Sequence, residues 1–118
     1  MIDDDVRFVG KTLDLSEKQL IPSLHLLNSS TADKRLAESH LGSEKELDAL
    51  RELLDTDFEG INILEAAGSL HEGILYGLSL GQLSEGLDAP VLLAHLWNDS
   101  RSVEPLLAAK KELGDRLI

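Results

Sequence analysis

The sequence predicts an all-α domain: a compact bundle of about five helices around a long, mostly buried central helix near residues 58–85, with a short irregular or extended N-terminal arm. Three observations carry this. Leucine occurs 26 times in 118 residues, whereas Val, Ile and Thr together occur 13 times. Leucine loses little rotamer freedom in a helix, and β-branched residues fit pleated sheets better. Proline is confined to positions 22, 90 and 105, so few breaks are forced. Apolar residues also recur at helical spacing behind residues suited to capping.

Residues 1–15 form the arm. Asp3, Asp4 and Asp5 predict a frayed start, and Val6 to Leu15 reads as a short strand, an irregular segment or a swapped element. Ser16-Glu17-Lys18-Gln19 fits a capping box, in which the first and fourth residues satisfy each other's orphan backbone donors. Leu20, Ile21, Leu24 and Leu27 follow at helical spacing, with Pro22 either kinking that helix or starting it. A short helix is predicted over 32–41, with Leu36 and Leu41 inward and Gly42 as its stop. Ser43-Glu44-Lys45-Glu46 is a second capping box. It opens an amphipathic helix with Leu47, Leu50, Leu53 and Leu54 on its inner side.

The central helix rests on spacing. Asn62, Glu65, Ser69, Glu72, Tyr76 and Ser79 recur at helical intervals and draw one narrow polar stripe through an otherwise apolar segment. A helix apolar around most of its circumference is buried. Gly73, Gly77 and Gly81 fall within it at four-residue intervals. Each costs roughly 1 kcal/mol against alanine in a helix interior, so close packing of another helix is expected to compensate. The seam is either between two copies of the chain or inside one. A glycine at every fourth residue from Gly73 to Gly81 resembles the longer repeat of eukaryotic iron–sulfur targeting adaptors. The likeness covers too few residues to name a family and implies no function.

Pro90 then reads as the first residue of a short apolar helix over 91–97, ending at Trp97, a core anchor or an interface residue. Ser102 caps a last helix near 103–117, with Val103, Leu106, Leu107, Leu113 and Leu117 inward. No repeat or linker divides the chain, so residues 1–118 read as a single helical domain.

Composition narrows function mostly by exclusion. The absence of cysteine removes disulfide and thiolate chemistry. Eleven basic against 22 acidic residues, a net charge of -11, argue against a nucleic-acid surface. From Glu52 to Ser100 there is no Lys or Arg, yet nine acids. That stretch cannot build a phosphate clamp, and it suits a basic protein partner. The apolar segment from Ile61 to Leu83 carries Glu65, His71 and Glu72, which argues against a membrane span. The acidic start is the reverse of a secretory leader, so the expected location is cytoplasmic.

His25, His40, His71 and His95 occur singly, and neither a metal motif nor a cofactor loop is present; no metal or cofactor is predicted. No constellation reaches the strength of a catalytic motif, so an enzyme is the least supported class. The leading expectation is a small acidic interaction or regulatory protein, of the immunity, antitoxin-like or mobile-element accessory type, that forms a homodimer. Its seam is expected at Gly73, Gly77 and Gly81 or at Trp97. The alternative is a small-ligand or metal-binding bundle that uses Glu65, Ser69, Glu72 and Tyr76.

Overall fold

A computed structural model describes residues 2–22, 29–38, 44–54 and 59–118. The all-α class holds. The described residues contain five α-helices and no strand.

The acidic start is not frayed. It caps and charges a helix, α1 (Asp4–Thr12), where an irregular or extended arm was expected. The Asp3 carboxylate accepts the Val6 N–H at 2.9 Å. Asp4 and Asp5 sit in the first turn and Lys11 in the last, complementing the helix dipole. Gly10 lets the helix lie directly against Leu20: a β-carbon there would fall 2.6 Å from Leu20 Cδ2. The Ser16–Gln19 box forms, with the Ser16 N–H donating to Gln19 Oε1 at 3.0 Å. It closes a single 3-10 turn (Glu17–Gln19) before the chain extends at Leu20. The rest of the helix expected there, from residue 23 onward, lies outside the described residues.

Helix α2 (Ser29–Ala37) starts three residues earlier than predicted, and Leu36 is exposed instead of inward. The expected Leu41 contact, the Gly42 stop and the Ser43 cap lie outside the described residues. Helix α3 (Lys45–Leu53) matches its predicted amphipathic pattern at Leu47 and Leu50, both buried, while Leu53 is exposed.

The long central helix does not form. Residues 61–67 have no regular secondary structure, and a turn follows over 70–73. One 3-10 turn (Ile74–Tyr76) is held between Gly73 at φ 87° and Gly77 at φ 72°. Only a short helix, α4 (Leu80–Gly86), occupies the end of the segment. The physical reason is glycine. Gly60, Gly68, Gly73 and Gly77 together oppose a helix by about 4 kcal/mol, and two of them adopt left-handed backbone. At Gly73 a β-carbon would meet the Leu78 carbonyl oxygen at 2.9 Å. Gly73 and Gly77 are therefore turn residues and not a helix seam.

Helix α4 begins at its own capping box. Gln82 Oε1 accepts the Ser79 N–H at 3.0 Å and Ser79 Oγ accepts the Gln82 N–H at 3.4 Å. Gly81 faces the last helix: a β-carbon there would lie 3.6 Å from Glu112 Oε1. Of the two seams the glycines allowed, Gly81 thus fits one within the chain. Gly86 admits the Leu47 side chain, so α3 and α4 touch, and Arg51 donates to the Gly86 carbonyl at 2.7 Å.

The helix expected over 91–97 is also absent. Residues 92–98 have no regular secondary structure. Val91 instead pairs in parallel with Leu117: its N–H donates to the Arg116 carbonyl at 2.7 Å and its carbonyl accepts the Ile118 N–H at 3.0 Å. Helix α5 (Val103–Leu113) ends at Gly114, φ 59°, before a 3-10 turn (Gly114–Arg116). Leu113 is buried as expected, whereas Val103 and Leu107 are exposed. The core lies here: Val91, Ala109 and Leu113, with Leu70, Leu80, Leu93 and Leu117 packed around them. Arg116 stitches its rim, donating to the Ser84 carbonyl at 3.2 Å and to Asp88 at 2.9 Å.

This core is small for the chain. The Cα radius of gyration is 15.7 Å, against about 13.5 Å for a compact chain of this length. Much apolar surface stays open, and that surface bears on function.

Candidate functional site

The four residues of the expected stripe lie in different surroundings. Glu65, Ser69 and Glu72 are exposed to solvent, and Tyr76 is buried. Without a helix, helical spacing no longer brings them to one face. Tyr76 belongs to a different cluster. The Arg35 guanidinium lies over its ring, 4.4 Å from the centroid, and pairs through Nη2 with Glu46 Oε1. Three segments supply these groups: α2, α3 and the 3-10 turn over Ile74–Tyr76. Tyr76 is 5% exposed and Glu46 6%. Among the described residues the Tyr76 hydroxyl and Arg35 Nη1 have no hydrogen-bond partner. The cluster clamps three elements together through cation–π and ionic attraction. Nothing in it resembles a nucleophile with its base.

Open grooves occur among the described residues. One, of about 430 Å³, runs past His95, Leu96, Asp99, Arg101 and Glu104; the other, of about 380 Å³, lies between α3 and α4 at Glu44, Arg51, Gln82 and Glu85. Neither includes Glu65, Ser69, Glu72 or Tyr76. In the first groove the Arg101 side chain and backbone N–H both donate to Asp99, and these bonds hold its carboxyl below the ordinary carboxylate range. A depressed carboxyl favours this turn at neutral pH, and the contribution fades as pH falls through the carboxyl's own pKa. His71 Nε2 lies 2.9 Å from Glu112 Oε2, with both side chains in solvent. Surface pairs of this kind contribute little. Among the described residues no three His, Asp or Glu side chains gather to hold a metal ion.

The features that stand out are apolar and exposed. Ile61 is 85% exposed and Ile63 75%; Leu92 is 85% exposed and Trp97 61%. Trp97, expected as a core anchor or at an interface, is therefore not in this core. All four lie inside the cation-free stretch from 52 to 100. Sequence reasoning missed Ile61 and Ile63 as surface residues because it assigned them to a buried helix. The local signal was weak: only Ile61-Asn62-Ile63 alternates apolar and polar, and Leu64 breaks the pattern. The Arg35–Glu46–Tyr76 cluster had no local signal, since its members come from distant parts of the chain.

No family model, no curated protein and no solved structure matches this chain. No described helix is long and apolar enough to cross a membrane.

Proposed function

We propose that this chain is a small acidic interaction protein that works by binding a basic protein partner. One observation carries the reading: large apolar side chains stand in solvent within a stretch of nine acids and no Lys or Arg. Apolar area supplies affinity on burial, and the surrounding carboxylates steer and select a cationic partner. The alternative is a ligand or metal pocket built from Glu65, Ser69, Glu72 and Tyr76, of which the first three are exposed and the last is buried. The test is capture from host extract with two immobilised baits, the native chain and one carrying Glu59, Glu65, Glu72 and Glu85 replaced by Gln. A basic protein retained in stoichiometric amount at low salt, released at high salt and at least tenfold depleted on the neutralised bait is expected. Equal capture by both baits, or none by either, rejects the reading.

Self-association has a separate basis. Helix α1 and its C-cap Leu13 expose Phe8, Val9 and Leu13 beside charges of both signs, Asp4 and Asp5 at one end and Lys11 at the other. Two copies crossing antiparallel set each acidic end against the other's basic end, which a C2 dimer permits. A homodimer through α1 is the form proposed. Sedimentation at tens of micromolar is expected to show a dimer that Phe8→Ser with Leu13→Ser dissociates. A monomer in the native chain removes the proposal.

A further inference from the structure

We infer that residues 59–65 are a docking strand that adds to the exposed edge of a β-sheet in a basic partner. The inference rests on the partner-binding reading and gives it a place and a chemistry. From residue 61 to 67 the chain runs without turn or bend. Among the described residues none of its backbone N–H or carbonyl groups pairs with other backbone. Such a segment can supply a full ladder of hydrogen bonds to another sheet. Residues 59 and 60 bend in the free chain; once pairing extends the segment through them, period two places Glu59, Ile61, Ile63 and Glu65 on one side. That side carries two apolar residues flanked by an acid at each end. Glu59 and Glu65 form no ion pair with any described residue. The complementary edge strand has two apolar residues flanked by Lys or Arg in the same alternation.

A second copy of the chain fits this segment poorly. Antiparallel self-pairing that sets Ile61 opposite Ile63 also sets Glu59 opposite Glu65 at both ends. Parallel self-pairing in register sets each acid opposite itself. Like charges directly opposed across a ladder are destabilising. The cations nearest in sequence, Arg51 and Arg101, already pair with Asp48 and Asp99. A lone peptide strand is also a poor occupant, because a two-stranded ladder is marginal in water. The partner must bring its own sheet.

The probe is a cyclic β-hairpin peptide whose free edge reads Lys-Thr-Val-Thr-Val-Thr-Lys, titrated into the full chain while amide hydrogen exchange is followed. Saturable binding that slows exchange across 60–66 is expected. Ile61→Ser with Ile63→Ser should weaken binding at least tenfold while leaving the unfolding midpoint unchanged, since both side chains are exposed. A hairpin with Glu in place of both Lys should not bind. Binding that the double variant leaves intact, or protection that appears elsewhere, overturns the docking strand and leaves the basic-partner reading standing. No binding by the Lys hairpin overturns the docking strand as well. Protection of 60–66 that rises with protein concentration alone overturns it in favour of a second copy.

Discussion

Gly73→Ala is expected to destabilise the chain by about 2–3 kcal/mol, whereas Gly81→Ala is expected to leave stability unchanged or raise it by about 0.5 kcal/mol. The two glycines share a repeat in the sequence but not a conformation. Gly73 sits at φ 87°, where an L side chain is strained, and the space for its β-carbon is taken by the Leu78 carbonyl. That oxygen is backbone and cannot turn aside. The Leu78 N–H, in addition, bonds to the Gly73 carbonyl at 3.0 Å, as does the Tyr76 N–H at 2.9 Å, so the strain falls on a hydrogen-bonded turn. Gly81 is helical, and its added methyl would make ordinary contacts with Glu112 and Leu113. Urea denaturation of the two variants separates the structures directly. A continuous helix through 58–85 predicts that both substitutions act in the same sense. Opposite signs, with the loss at Gly73, require the turn.

That contrast shows where the sequence was informative. Helices α3 and α5 were legible because Leu47, Leu50 and Leu113 sit at core positions that periodicity identifies, although α5 was expected to run to 117 and ends at Leu113, where Gly114 takes a positive φ. Over 61–79 the same method failed. Polar residues at intervals of three and four match a helix, but the pattern carries no information about backbone cost, and glycine set the outcome. Ser79 and Gln82 formed a legible capping box that marks the true helix start, and it was hidden by the longer pattern running across it. At the N-terminus, Asp3, Asp4 and Asp5 carried two readings. Charge repulsion suggests fraying, while cap and dipole stabilisation suggests a helix, and the cap won because the Asp3 side chain reaches the Val6 N–H. The segment proposed for docking had almost no signal of its own, since only Ile61-Asn62-Ile63 alternates before Leu64 breaks the pattern.

Glu46→Ala is expected to cost about 2–4 kcal/mol, a large share of the total for a domain of this size. The Arg35 guanidinium is a charge removed from most of its water: its side chain is 17% exposed. The Tyr76 ring beneath it supplies roughly 0.5–2 kcal/mol of cation–π attraction, which does not replace a carboxylate. Removing Glu46 leaves that charge buried against an aromatic face, with Nη1 already lacking a partner among the described residues. The loss therefore reflects an unpaired ion more than the strength of the pair. The distinction has a measurable consequence. Replacing both members, Arg35→Met with Glu46→Met, removes the buried charge together with its counter-ion and is expected to cost less than Glu46→Ala alone, by at least about 1 kcal/mol. Tyr76→Phe keeps the ring under the guanidinium and deletes a hydroxyl without a hydrogen-bond partner among the described residues, so it is expected to be neutral within about 0.5 kcal/mol or slightly stabilising. Denaturation of the three variants in urea checks all of these together. If Tyr76→Phe costs as much as Glu46→Ala, the hydroxyl has a partner and the cluster is a hydrogen-bond network. If the double variant is the least stable, the pair itself holds α2, α3 and the turn over Ile74–Tyr76 together, and its attraction exceeds what its burial costs.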